Sequence, residues 1–154
     1  ALSRYLLDHP HEVVGKRVLD FAAGSGLVGV AAMKAGATHV LGADIDAFCQ
    51  AAVSANAMAN GVTLDFTQTN LLDAAPPDVE VICAGDICYE RPMTDAVLAW
   101  LAQARARGTR VLIGDPGRTY FPRTGLDFLV DYRVPTSREL EDQEIKRSSV
   151  WAMP

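Results

Sequence analysis

The sequence predicts a single α/β domain built on a mostly parallel seven-stranded sheet that ends in an antiparallel hairpin. Three observations predict it. Short apolar runs alternate with helical stretches from Val18 to Gly114, the rhythm of a parallel sheet covered by helices on both faces. The runs are apolar almost without interruption, as in strands buried on both sides. After them the pattern changes to two strand-like segments joined by a charged stretch, which reads as a hairpin.

Each element has its own reason. Val18-Leu19-Asp20-Phe21 follows the polar Gly15-Lys16-Arg17 and is the first strand; Ala22-Ala23-Gly24-Ser25-Gly26 is a glycine-rich turn. Leu27 to Ala35 is helical, with Gly36 as its C-cap. His39 to Ala43 is the second strand, and Ala47 to Asn60 is an alanine-rich helix ended by Gly61. Leu64 to Thr67 is a short third strand. Ala75-Pro76-Pro77 breaks the chain before the fourth, Val79 to Ala84. Thr94 to Arg107 carries Val97, Leu98, Leu101 and Ala104 at helical spacing. Gly108 caps that helix, and Arg110 to Gly114 is the fifth strand. Phe128 to Pro135 and Ser148 to Met153 form the hairpin, joined by the charged stretch Arg138 to Arg147.

Bulk properties narrow the function. A chain of 154 residues holds one domain spanning 1–154. It has 49% hydrophobic and 21% charged residues, ordinary globular values. No apolar run is long enough for a transmembrane helix. The net charge is −5, and no Lys/Arg cluster exists beyond the pairs Lys16-Arg17 and Lys146-Arg147. Nucleic acid is therefore disfavoured, because phosphate contacts supply most of such affinity. Cys49, Cys83 and Cys88 are odd in number and lack CxxC spacing, which fits a reducing compartment. His9 and His11 flank Pro10, a poor geometry for a metal pair, and with His39 they read as surface or core residues. No metal is expected. The opening Ala1-Leu2-Ser3-Arg4-Tyr5 has neither an initiating Met nor a signal-peptide core. We therefore expect a fragment without its native N-terminal segment.

The chemistry-bearing residues fall at the carboxyl ends of the strands, where open α/β sheets bind ligands. Gly24, Gly26 and Gly29 spell GxGxxG after the first strand. Asp44 ends the second strand, 20 residues after Gly24, where an acidic side chain accepts the ribose hydroxyls of an adenosine. Asp46 is the alternative ribose partner. The motif also describes an NAD-binding oxidoreductase domain. Asp20 inside the first strand, Asn70-Leu71-Leu72-Asp73 after the third, and the terminal hairpin favour instead a resemblance to class I S-adenosylmethionine (SAM)-dependent methyltransferases. Asn70 and the glycines also have plainer readings, as a loop residue and a tight turn.

The acceptor side of such a fold follows the fourth strand, here Gly85-Asp86-Ile87-Cys88-Tyr89-Glu90. The prolines expected of enzymes acting on planar amino groups are absent, and Cys88, without a preceding proline, reads as a small apolar filler. An Asp followed three residues later by an aromatic resembles the seven-strand lysine methyltransferases. Asp86 would orient the amine, and Tyr89 would wall its stem or attract the cation with its ring face. A helix cap for Asp86 and a core position for Tyr89 are the bland alternatives, and Glu90 reads as a solvated surface residue.

More specifically, Val18-Leu19-Asp20 through Gly29, Gly36-Ala37, Ala43-Asp44-Ile45-Asp46, Gly85-Asp86 with Tyr89, Val150-Trp151 and above all Arg110-Val111-Leu112-Ile113-Gly114-Asp115-Pro116-Gly117-Arg118 resemble the electron-transfer-flavoprotein β-subunit lysine methyltransferases and their bacterial relatives. The resemblance covers essentially the whole chain. It implies a Rossmann-like class I methyltransferase sandwich and SAM as cofactor. The implied cofactor set is Asp20, Ala22, Gly24, Gly26, Asp44, Ile45, Asn70, Leu71 and Gly85. It implies Asp86 and Tyr89 as catalytic residues, with Asp115 and Arg118 on the substrate rim unless Asp-Pro-Gly is only a turn. The implied partner is the flavoprotein β subunit, methylated on lysine by a monomeric enzyme of the bacterial cytoplasm or, alternatively, the mitochondrial matrix. The same family carries an aromatic-rich segment ahead of the position of Ala1. Another acceptor protein (ribosomal, for example), a small amine, or a SAM-binding module without catalysis are further readings.

Overall fold

The computed structural model describes residues 1–122, 124–135 and 145–154. Seven strands form one sheet: β1 (Arg17–Phe21), β2 (His39–Ala43), β3 (Asp65–Thr67), β4 (Val81–Gly85), β5 (Arg110–Asp115), β6 (Asp127–Pro135) and β7 (Ile145–Ala152). Their order is β3-β2-β1-β4-β5-β7-β6. The first five strands pair in parallel. β7 runs antiparallel to both β5 and β6. The expected terminal hairpin is thus present, and its second strand is the one inserted beside β5.

Among the described residues four α-helices cover the sheet: α1 (Leu2–Asp8), α2 (Leu27–Lys34), α3 (Ala47–Ala59) and α4 (Arg91–Ala106). Three stand where the sequence places them, with shifted ends. α4 starts at Arg91 rather than Thr94, because proline in a first turn has no N–H to leave unbonded. β4 starts at Val81 rather than Val79, since the Val79 N–H is taken by the Pro77 carbonyl in a turn. β7 starts at Ile145 rather than Ser148. The charged connection expected at 138–147 lies, up to 144, outside the described residues. Helix α1 was not anticipated, although its signal is present: Leu2, Tyr5 and Leu6 are buried along one face at helical spacing. Arg4 and Asp8 pair one turn apart on the other face at 2.9 Å.

Strand periodicity divides the core into two layers. Val18, Val81, Cys83 and Leu112 point to one side and pack with Leu2, Leu6, Ala32 and Val150. Their neighbours Leu19, Ile82, Val111 and Ile113 point to the other side, under Val97, Trp100, Leu101 and Ala104 of α4. Double burial explains why these strands read as unbroken apolar runs. The Trp100 indole N–H donates to the Ala74 carbonyl at 2.9 Å, tying α4 to the chain before β4.

One buried polar cluster fastens the N-terminal segment to the sheet. Glu12 is 7% exposed. Its Oε1 accepts from Tyr5 Oη at 2.8 Å and from Arg110 Nη2 at 3.0 Å, and its Oε2 accepts from Arg110 Nε at 3.1 Å. Burial alone would push the Glu12 carboxyl up, but Arg110 and Tyr5 together hold it below the usual range. A depressed carboxyl stabilises the fold above its unfolded pKa, and that stabilisation fades as pH falls through the folded value. Glu12→Ala should therefore lower the unfolding free energy at pH 7 by about 2 kcal/mol, since it strands a hydroxyl and a guanidinium. The deficit against wild type, read from urea midpoints, should shrink as pH approaches 3.

Candidate functional site

The loops at the carboxyl ends of β1 to β4 enclose a cavity. Phe21 and Ala22 line it at the end of β1, Ala43, Asp44 and Ile45 at the end of β2, and Thr69 to Leu72 from the segment after β3. Ile87, Tyr89, Met93 and Val97 close the remaining side. Six residues singled out by sequence meet here: Ala22, Asp44, Ile45, Asn70, Leu71 and Tyr89. Phe21, Met93 and Val97 were missed as wall residues. Phe21 reads as strand and Val97 as helix core, Met93 falls before the expected helix start at Thr94, and periodicity cannot tell a core face from a cavity wall.

The glycines of the turn do not line the cavity but, with Ala22, shape its edge. Ala22, Gly24 and Gly26 all have left-handed backbones, with φ of 55°, 51° and 72°. A Cβ on Gly26 would stand 2.9 Å from Val53 Cγ2, so this position is closed to side chains twice over. A Cβ on Gly29 would meet Leu64 Cδ2 at 2.4 Å and Asp20 Oδ2 at 3.2 Å. Three anchors hold the turn. Asp20 Oδ2 accepts from the Gly29 N–H at 2.8 Å. Asp44 Oδ2 accepts from the Gly24 N–H at 2.9 Å. Asn56 Nδ2 donates to the Ser25 carbonyl at 2.8 Å.

Asp44 faces the cavity and is also bound by the Asp46 N–H, on Oδ1, at 3.0 Å. Asp46, the alternative ribose partner, is engaged elsewhere: it is the N-cap of α3 and its Oδ1 accepts from the Phe48 N–H at 2.9 Å. Asn70 combines its two readings. It lines the cavity, and its Oδ1 accepts from the Leu72 N–H at 3.2 Å in a short 3-10 turn.

Beyond Tyr89 lies a second, charged rim. Gly85 ends β4, and Asp86 follows with φ of 55°, its N–H donating to the Gly114 carbonyl at 2.8 Å. Asp86 caps no helix, since the N-cap of α4 is Glu90. Arg118 grips the Asp86 carboxylate with both prongs: Nε to Oδ1 at 2.6 Å and Nη2 to Oδ2 at 2.7 Å. Asp115 is 2% exposed and makes the turn its sequence suggests, Oδ1 accepting from the Gly117 N–H at 2.7 Å and the Arg118 N–H at 2.8 Å. Among the described residues nothing donates to its buried Oδ2. Burial pushes the Asp115 carboxyl up against those two N–H bonds. Tyr89 is 51% exposed, which removes the core reading. Cys88 is fully buried and burial pushes its thiol up to about 11, as suits an apolar filler.

Asp20 is 1% exposed, and burial pushes its carboxyl up to about 7, with the Asp44 charge adding and the Gly29 N–H opposing. A raised carboxyl leaves stability complete below the unfolded pKa and erodes it as pH climbs to the folded value. Relative to Asp20→Asn, wild type should thus lose unfolding free energy between about pH 4 and about pH 7 and then level off. A pH-independent difference in urea midpoints would refute this account of Asp20.

Similarity to known proteins agrees with the geometry. The chain is 38% identical to the electron transfer flavoprotein beta subunit lysine methyltransferase of Mus musculus, over 98% of this chain and 62% of that protein. It is also 38% identical to the Xenopus laevis protein of the same name, over 99% of this chain and 64% of that one. The chain therefore spans under two thirds of the length of these relatives. Among solved structures it superposes on a ribosomal protein L11 methylase from Lactobacillus delbrueckii subsp. bulgaricus, with a TM-score of 0.63, 19% identity, and 97% of this chain and 75% of that one covered. It also superposes on the SAM-bound magnesium protoporphyrin IX methyltransferase of Synechocystis PCC 6803, with a TM-score of 0.67, 16% identity, and 99% and 76% covered. The fold is that of these class I methyltransferases, and the dinucleotide-binding alternative is not favoured. The family model for ribosomal protein L11 methyltransferase (PrmA) matches residues 2–88, more than half of the chain, and the protein belongs to that family.

Proposed function

We propose that the protein is a SAM-dependent protein-lysine N-methyltransferase whose acceptor is the β subunit of the electron transfer flavoprotein. The observation that carries the reading is the cavity in which Asp44 is pinned beside the glycine turn, with Tyr89 in its wall and Asp86 next to its Ile87. The residues present fit the cofactor. Asp44 accepts two backbone N–H bonds, and a carboxylate has roughly four acceptor positions, so capacity remains for ribose hydroxyls. Phe21, Ile45 and Leu71 offer apolar walls for a flat base, and Asn70 adds a polar contact. Bound SAM would supply an electrophilic methyl carbon, which passes to an amine nitrogen as the carbon–sulfur bond breaks and leaves its electrons on sulfur.

The protein's own contribution is binding and alignment. A free lysine has a pKa of ~10.4 and arrives as an ammonium, which must release a proton to solvent before its nitrogen lone pair can take the methyl group. Asp86 pairs with that cation, and the exposed Tyr89 ring walls its stem. Alignment of the nitrogen with the methyl carbon supplies much of the acceleration. The mouse and frog relatives are named for the flavoprotein β subunit, and their similarity runs past Asp115 and Arg118. The L11 family model ends at residue 88, short of that rim. The flavoprotein subunit is therefore preferred over ribosomal protein L11 as acceptor.

Calorimetric titration of the complete protein with SAM, and separately with NAD, is the first test: heat with SAM and none with NAD is expected. Asp44→Ala should weaken SAM by roughly 10- to 100-fold, the scale of a charge-assisted hydrogen bond, and unchanged affinity would remove the ribose role. Asp86→Ala should leave SAM affinity near wild type while methylation of the purified flavoprotein β subunit disappears. Equal loss of both would sink the division of roles.

A further inference from the structure

We propose that Asp115 is a positioning residue for the acceptor: through the turn it makes it aims Arg118, and Arg118 in turn fixes the direction of the Asp86 carboxylate. The inference rests on the lysine-methyltransferase reading, and it gives Asp115 and Arg118 a task other than direct substrate contact. At 2% exposure Asp115 is out of reach of a protein substrate. Any effect it has on an acceptor lysine passes through other residues, and its hydrogen bonds trace the route.

The backbone of Asp86 is set by β5, since its N–H donates to the Gly114 carbonyl at 2.8 Å. That bond leaves the side-chain torsions open. The Arg118 guanidinium closes them, with Nε on Oδ1 at 2.6 Å and Nη2 on Oδ2 at 2.7 Å. A planar, two-pronged contact fixes the plane of a carboxylate as well as its distance. A carboxylate has roughly four acceptor positions. The fork uses two of them, so an ammonium can bind Asp86 while the guanidinium stays in place.

A fork on a long side chain orients little unless its own root is fixed, because its rotamers are many. Asp115 fixes that root: its Oδ1 accepts from the Gly117 N–H at 2.7 Å and from the Arg118 N–H at 2.8 Å. The turn between them is stiff. Pro116 locks its own φ, and Gly117 takes φ of 91°, the left-handed conformation that a turn of this sequence requires. Asp115 is itself held in the sheet, because β5 pairs with β4 through Gly114 and Gly85 and with β7 through Asp115 and Ser149. The circuit then closes: Gly114 holds Asp86, Asp115 holds Arg118, and Arg118 holds Asp86. The remaining oxygen of Asp115 is a cost to the fold, for among the described residues nothing donates to its buried Oδ2. The benefit of this side chain lies in the turn it makes.

The test is a double-mutant cycle on the complete protein, with saturating SAM and the purified flavoprotein β subunit as acceptor. Asp115→Ala and Arg118→Gln should each lower kcat by about 10- to 100-fold, the scale of a misaligned reacting group. KM for the acceptor should move by less than about fivefold, the scale of one exposed ion pair, since the Asp86 charge remains. SAM affinity should stay at the wild-type value in both, which also reports that they are folded. In the Arg118→Gln background, Asp115→Ala should cost less than about twofold more. Asp115→Asn, which keeps the turn-making oxygen, should recover most of the loss, whereas Arg118→Lys, which keeps charge without the fork, should not. Gly117→Ala strains the same turn while its Cβ meets open space, so it should lower kcat even where Asp115→Ala fails to fold. Losses that multiply in the double variant, a change in KM alone, full recovery by Arg118→Lys, or SAM affinity falling in step with kcat would each overturn the positioning role while leaving lysine methylation intact. Wild type that binds SAM normally yet leaves the flavoprotein subunit unmethylated would overturn the lysine reading, and the positioning role with it.

Discussion

A carboxylate buried in the middle of a sheet normally penalises a fold, and Asp20 is tolerated because the Gly29 N–H reaches it at 2.8 Å. That bond joins β1 to the first turn of α2. It requires Gly29 to be bare, since a Cβ there would crowd both Leu64 and the Asp20 carboxylate. Helix α2 therefore sits close against the sheet. The intervening turn then has to reverse within a few residues, which it does through left-handed backbones at Ala22, Gly24 and Gly26. The second carboxylate, Asp44, ties the turn to β2 through the Gly24 N–H. The cavity edge is thus set by two acids and the backbone donors they collect.

The two ends of the site differ in physical character. Around Asp44 the carboxylate is held by main-chain N–H groups and surrounded by apolar walls, a preorganised receptor for one small molecule of fixed shape. Around Asp86 the carboxylate is held by a long, half-exposed side chain. The first arrangement resists change because its donors belong to the sheet and its connections. The second is an ion pair between two partly exposed side chains.

The N-terminal segment belongs to the same design. Helix α1 packs on the β5 side of the sheet, and Leu2 Cβ lies 3.1 Å from where a Cβ on Gly114 would stand. The Glu12–Arg110 pair clamps the far end of β5 to the same segment. β5 is thereby fixed at both ends. Its carboxyl end carries Asp115, and the Gly114 carbonyl holds Asp86. Packing of the first helix is thus linked mechanically to the geometry of the charged rim.

Much of this was legible in the chain itself. Apolar runs and breaking residues determine the strands and three of the helices, because burial on both faces of a parallel strand leaves an unmistakable composition. The glycine spacing and Asp44 determine the edge of the cavity, because a turn with left-handed residues admits few other sequences. The segment Leu2–Asp8 was readable by the same periodicity and was passed over. What only the tertiary structure decided involves residues distant in sequence. Two apolar strands at the end of a chain specify a hairpin but not which of them enters beside β5. Asp46 and Asp44 are equivalent as sequence, and only the start of α3 turns one into a cap. Arg118 and Asp86, or Glu12 and Arg110, are single charges among many until the fold brings them within hydrogen-bonding distance. Local preference acts over a few residues, whereas ion pairs depend on where the whole sheet delivers its ends.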